Sequence, residues 1–204
     1  FTLGGGTLTK TEDNPSNVFS TFNKIWSQSN GNVGDVAFAN GNNSLSVASA
    51  IYRTTPSTLG ASTGKYYCEI KRTGTSGDTH IGIMNENATP ADTASWIGQY
   101  SSGYMYGGNS GDLYNNNNTP TTYNSYTTGD IVGIALDCDN GKIYFAKNGV
   151  WQNSSDPTNG TNPAFTGLDT SLNYFFCAST GGSVTANFGN GYFGTTAVSS
   201  AGTN

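Results

Sequence analysis

The chain has 204 residues, a formal net charge of −5, only 10% charged residues and 12% aromatic ones. This length suits one large all-β domain, the aromatic content excludes a disordered chain, and the absence of a basic run excludes binding to a nucleic-acid backbone. With so few charges, solubility rests on the abundant Gly, Asn, Ser and Thr, a neutral polar surface suited both to repetitive extracellular assemblies and to carbohydrate contacts.

In chain order, residues 1–11 read as a Gly-rich arm with a short strand near 7–9, able to join its own sheet or that of a neighbouring subunit. Residues 17–26 carry Val18, Phe19, Phe22, Ile25 and Trp26, an apolar group consistent with one helical turn. Strands follow at 36–38 and 45–52, separated by Asn40-Gly-Asn-Asn43. The segment 58–63 is a loop leading into a strand at 65–72. After a strand at 81–84, residues 85–128 are irregular apart from short strands at 103–106 and 112–115. The clearest pattern comes next. Val132, Ile134 and Leu136 alternate with Ile131, Gly133 and Ala135 at the period of a strand. Asp139-Asn-Gly141 and Asn148-Gly149 supply turn residues on either side of a strand at 142–147, in which Ile143 and Phe145 oppose Tyr144, and Val150-Trp151 begins a third strand. A last pair at 173–178 and 183–188 closes the sheet system. No heptad, long helical period or solenoid repeat is present.

Three motifs in order, Gly64-Lys-Tyr-Tyr-Cys-Glu-Ile70, Gly129-Asp-Ile-Val-Gly-Ile-Ala-Leu-Asp-Cys-Asp-Asn-Gly141 continuing to Lys147-Asn-Gly149, and Asn187-Phe-Gly189, together with Ile81-Gly-Ile83, resemble the SPRY domain. The resemblance covers roughly 51–193. It implies an all-β, two-sheet antiparallel sandwich of the concanavalin A-like jelly-roll type, used for binding and not for catalysis, with 1–50 as arm and lead-in strands and 194–204 as a C-terminal extension. Asp13-Asn-Pro-Ser-Asn-Val-Phe19 with Phe22-Asn23, Phe38-Ala-Asn-Gly41, and 187–198 further resemble SPRY-containing virion proteins of tailed, often marine, bacteriophages. That likeness implies a particle-surface subunit made in the host cytoplasm: a decoration, fibre or spike module. Its partners would be other virion proteins, copies of itself in a homo-oligomer such as a trimer, and a host-surface glycan or protein. The alternative is a purely structural assembly subunit with no external ligand, and behind it stand a cellular SPRY protein-interaction module and a glycan-cleaving enzyme. A start without Met is expected of a cleaved or partial chain.

Residue chemistry favours no enzyme. The one histidine, His80, is read as a solvated loop residue, with Asp78 too near in sequence to orient it. A glycosidase needs two facing carboxylates, whereas Asp130, Asp137 and Asp139 fall at turn positions and Glu69 in a strand motif. Asp137-Cys-Asp-Asn140 lacks a calcium-loop pattern, so neither metal nor cofactor is expected. Cys68, Cys138 and Cys177 are read as buried or partly buried free thiols. No stretch has the apolar length of a membrane span, and residues 1–6 lack the regions of a signal peptide. Five Asn-X-Ser/Thr triplets follow from composition.

Recognition is instead expected in the Tyr- and Asn-rich stretch before the meander. Flat rings offer faces to sugars while amides take their hydroxyls, and the same Tyr, Ser, Gly and Asn palette serves adaptable protein contacts. The candidates are Trp96, Tyr100, Tyr104, Tyr114, Asn115, Asn116, Asn117 and Tyr123. Tyr104 and Tyr106 lie on a strand, where they can equally well cover the sheet.

Overall fold

The computed structural model describes residues 19–28, 35–47 and 51–189; the Gly-rich arm at 1–11, with its expected strand near 7–9, and the extension at 194–204 lie outside these. Among the described residues thirteen strands form: β1 (Val36–Ala39), β2 (Ser44–Val47), β3 (Arg53–Pro56), β4 (Lys65–Arg72), β5 (Thr79–Asn85), β6 (Gly103–Gly107), β7 (Leu113–Tyr114), β8 (Ile131–Asp137), β9 (Lys142–Lys147), β10 (Val150–Trp151), β11 (Phe165–Thr166), β12 (Tyr174–Thr180) and β13 (Ser183–Asn187). One sheet has the order β1-β2-β13-β4-β8-β9-β10, with β11 also on β9, and the second has the order β3-β12-β5-β6-β7. Strand partners are antiparallel, as in β4 with β8, where Cys68 faces Ile134, and β12 with β5, where Cys177 faces Gly82. This is the expected two-sheet sandwich.

The alternation read at 131–136 decides how the larger sheet faces the core. Val132, Ile134 and Leu136 turn inward and are at most 2% exposed, as are Ile143 and Phe145 from the returning strand. They meet Ile81, Ile83, Tyr106, Leu113 and Ala178 from the smaller sheet in one apolar cluster. The second turn works because Asn148 (φ 49°) and Gly149 (φ 79°) both take the left-handed conformation that a two-residue hairpin of matching twist demands. All three cysteines are free and buried.

Two departures from the sequence reading have physical causes. The strand expected at 45–52 ends its described part at Val47, and a separate strand, β3, forms on the other sheet from Arg53-Thr-Thr-Pro56. A proline argues against a central strand, but among the described residues β3 is an edge strand paired with β12 alone, so no ladder partner is lost there. The stretch 85–128 also holds more structure than its two short strands. Thr89 caps a helical turn, α2 (Pro90–Thr93), reciprocally with Asp92, and a 3-10 turn follows at Ile97–Gln99.

These turns cover the outer face of the smaller sheet. Met84, Met105 and Cys177 project outward there and pack with Ala88 and Ile97 into a second apolar cluster, flanked by Trp26, Tyr100, Tyr114 and Phe175. Trp26 comes from a short helix, α1 (Lys24–Gln28), and its indole Nε1 donates to Thr93 Oγ1 at 3.3 Å. Beneath, the Ile97 N–H donates to the Thr54 and Ser179 hydroxyls, both at 3.2 Å. The smaller sheet is therefore buried on both faces.

Candidate functional site

On a strand, residues two apart face the same side. Asp78 and His80 obey this at the start of β5, where His80 Nε2 lies 3.3 Å from Asp78 Oδ2. His80 is not a solvated loop residue: it is only 5% exposed. Its ring lies between those of Tyr52 (centroids 5.3 Å apart, 31°) and Tyr114 (5.2 Å, 28°). Trp96 approaches edge-on to both His80 and Tyr114, at 5.0 and 4.9 Å. Offset and edge-to-face arrangements of this kind are the favourable ones for aromatic rings.

Asp78 Oδ1 accepts from the backbone N–H groups of Thr79 at 2.7 Å and Asn109 at 2.9 Å. Burial by itself would raise the Asp78 carboxyl, but the hydrogen bonds from His80, Asn109 and Thr79 outweigh it and hold the group below the usual carboxylate range. Arg72 lies beside it, its side chain 5% exposed, with Nη1 3.9 Å from Asp78 Oδ1. Arg72 Nη1 donates to Asn109 Oδ1 at 3.0 Å and to the Tyr126 carbonyl at 3.2 Å, and Nη2 donates to the Gly77 carbonyl at 2.6 Å. Both charges are thus spent on the protein itself.

Around this pair opens a polar cleft of about 630 Å³, walled by Tyr52, Thr75, Gly77, Asn109, Thr127 and Gly181 over Arg72 and Asp78. Asn109 uses its amide oxygen on Arg72, and Asn109, Thr75 and Thr127 are all exposed. Asp78 is the one carboxylate among the lining residues, so the cleft does not present the facing acid pair of a glycosidase. Nor does His80 have a nucleophile: its Nδ1 is buried without a hydrogen-bond partner, and burial raises the thiols of Cys68, Cys138 and Cys177, that of Cys138 to about 11.

The candidates from the sequence divide between two surfaces. Trp96, Tyr100, Tyr114 and Asn115 to Asn117 come together on the outer side of the smaller sheet. Asn115 acts as a clip, its Nδ2 donating to the carbonyls of Gly103 at 2.8 Å and Ser101 at 3.2 Å. Asn116 (φ 53°) and Asn117 (φ 57°) make the left-handed turn, their N–H groups donating to the carbonyls of Tyr100 and Gly98 and their side chains exposed. Tyr104 and Tyr123 do not join them. The Tyr104 ring turns inward against Phe165 and Tyr174, and Tyr123 meets Tyr106 edge-on at 5.8 Å, both packed on the main core. Tyr104 alternates with outward-facing Met105 on β6, which dictates its direction.

The sequence reading did not single out Tyr52, Thr75 or Thr127, set Asp78 aside as too near His80 to orient it, and held Asn109 only as the end of the Tyr- and Asn-rich stretch. The spacing of Asp78 and His80 was an available signal once 79–85 was taken as a strand; the loops that bring Tyr52, Thr75, Asn109 and Thr127 to the same cleft carry none.

The family model for the SPRY domain matches residues 65–191. The chain belongs to the SPRY domain family. The crystal structure of the SPRY domain of human HERC1 is similar to this chain, with a TM-score of 0.63 and 20% sequence identity over 82% of this chain and 98% of that one. At that identity the likeness concerns the fold. No curated protein matches the sequence. A SPRY domain is a type of interaction module, generally non-catalytic.

Proposed function

We propose that this SPRY domain is a non-enzymatic binding subunit on the surface of a tailed-phage particle, and that it takes an uncharged host-surface glycan in the cleft beside Tyr52 and Asn109. The observation that carries the ligand class is the closed electrostatics of the cleft. Arg72 donates through Nη1 and Nη2 to carbonyl oxygens while its Nε is enclosed without a partner, and Asp78 accepts from N–H donors, so the exposed side of the cleft offers neither an anion nor a cation an unpaired countercharge. What faces the ligand is neutral: the Asn109 amide, the Thr75 and Thr127 hydroxyls and the Tyr52 ring. Neutral donors and acceptors beside an aromatic wall suit sugar hydroxyls and C–H faces.

The particle setting is supported by the likeness of 13–23, 38–41 and 187–198 to phage virion proteins, and by a surface poor in charge. Each contact is weak, so adhesion would depend on many copies acting together on one particle, in a trimer or another symmetric array.

The test is binding of the purified chain to an array of bacterial surface glycans, with competition for phage adsorption. Neutral glycans should bind in preference to acidic ones, and Thr75→Val with Thr127→Val should weaken binding by about tenfold, the worth of one or two hydrogen bonds. A protein that binds no glycan and does not block adsorption, yet assembles into particles, would instead be an assembly subunit.

A further inference from the structure

Four Asn-Gly pairs lie among the described residues: Asn40-Gly41, Asn140-Gly141, Asn148-Gly149 and Asn159-Gly160. In such a pair the glycine N–H has no neighbouring side chain to shield it, so it can attack the asparagine amide. Before that happens, the amide must be released from whatever holds it.

The structure holds three of the four with carboxylates. Asn140 Nδ2 donates to both oxygens of Asp137, at 3.1 and 2.9 Å. Asn148 Nδ2 donates to Asp130 Oδ1 at 2.7 Å while its own oxygen accepts from the Ile131 N–H at 2.9 Å. Asn159 Nδ2 donates to Asp156 Oδ2 at 2.6 Å. Asn40 differs. Like the other three it is exposed, at the tip of the β1–β2 hairpin, but its Nδ2 donates to a neutral group, Ser44 Oγ, at 2.8 Å. Gly41 beside it stands in open space, with no atom within 4 Å of where a Cβ would be. Charge-assisted bonds are about twice as strong as neutral ones, and exposed hairpin tips open at low cost.

We propose that Asn40 is a site of spontaneous deamidation and isomerisation, and the most labile of the four. The Gly41 backbone nitrogen gives its proton to water or hydroxide and attacks Asn40 Cγ. A new C–N bond forms, and Nδ2 leaves as ammonia after taking up a proton. Water then opens the resulting cyclic imide at either carbonyl, leaving aspartate or isoaspartate with no change of oxidation state. Either product adds a negative charge. Isoaspartate also routes the main chain through Cβ, lengthening a turn closed by the Asn43 N–H on the Asn40 carbonyl at 3.1 Å. The next two residues anchor the hairpin, since the Asn42 carbonyl accepts from the Phe22 N–H at 2.9 Å and the Asn43 carbonyl from the Ala186 N–H at 2.7 Å. The lesion therefore sits where the edge of the larger sheet is fastened to the lead-in segment and to β13.

Incubation of the native chain in mildly alkaline buffer, followed by peptide mapping of mass gain and isoaspartate, tests this. Asn40 should convert on the order of tenfold faster than Asn140, Asn148 or Asn159, the ratio set by the stronger bonds that hold those three. In denaturant the four rates should converge. An intact Asn40, equal conversion at any of the other three in the native state, or the same rate order in denaturant would overturn the proposal.

Discussion

Asp78 and His80 face the same side at the start of β5 and share one hydrogen bond, from His80 Nε2 to Asp78 Oδ2 at 3.3 Å. Because its bonds to His80, Asn109 and Thr79 outweigh burial, the Asp78 carboxyl titrates lower in the folded chain than in the unfolded one, where an aspartate sits near pH ~3.9. It therefore contributes stability that is present above the unfolded value and is lost as pH falls through the folded one. Asp78→Asn should cost about 1–3 kcal/mol at neutral pH and should flatten the acid limb of a thermal-denaturation series. An unchanged acid limb would place that pH dependence elsewhere.

Glu69 has the opposite sign. It lies on the outer face of the larger sheet, 2% exposed, accepting from the Tyr67 hydroxyl at 2.9 Å and from Asn187 Nδ2 at 3.5 Å. Burial raises its carboxyl more than those two bonds lower it. The charged form thus costs stability that is absent below the unfolded value of about 4.3 and grows as pH rises through the folded one. Glu69→Gln should gain on the wild type between about pH 4 and 7, by a few degrees in Tm if the difference is about 1 kcal/mol. A constant Tm difference across that range would count against the assignment.

Tyr114 and Asn116 separate structure from surface. Tyr114 stacks on His80 and flanks the second apolar cluster, so Tyr114→Ala should lose about 2–4 kcal/mol in chemical denaturation. Asn116 is exposed and its backbone is left-handed. Replacing it with Ala should cost only about 1–2 kcal/mol, from the Cβ in that conformation, and Asn116→Gly should recover most of it. If Tyr114→Ala were as stable as wild type, the ring would not be part of the cluster that covers the sheet.

Gly82 on β5 sits opposite Met105 on β6. A Cβ there would collide with the Tyr104 carbonyl oxygen and press on Met105 Sδ, and backbone cannot yield as a side chain can. Gly82→Ala should destabilise by more than about 2 kcal/mol, whereas a Cβ at Gly167 meets no atom and is opposed only by its φ of 74°. Comparing Gly82→Ala with Gly167→Ala by Tm would reveal whether the close approach of the two strands controls the smaller sheet.

The larger sheet was legible in the sequence because its inner face is written in period two: Val132, Ile134, Leu136, then Ile143 and Phe145, with Asn148-Gly149 to turn the chain. The outer face of the smaller sheet was not. Met84, Ala88, Ile97, Met105 and Cys177 form its cluster, but they come from five separate places in the chain and show no common period. Tyr100 and Tyr114 therefore looked like free surface, although they edge that cluster, and so did Trp96, although it packs edge-on to His80 and Tyr114. His80 misled for the same reason: nothing local to Gly77-Asp-Thr-His80 shows that Tyr52 and Tyr114 will close over the imidazole. The cleft was the least legible part, because Tyr52, Thr75, Asn109 and Thr127 meet only through loop closure.

Trp26, hydrogen-bonded to Thr93 and seated beside the second cluster, and Phe22, wholly buried and edge-on to Phe188 at 5.5 Å, have a practical meaning for anyone cutting this protein down. The smallest autonomous piece cannot begin where the family pattern begins, at Lys65. A fragment started there would strip one sheet of part of its cover and the sandwich of a core ring, exposing aggregation-prone apolar area. A display fusion or crystallisation fragment should therefore start upstream of Phe19.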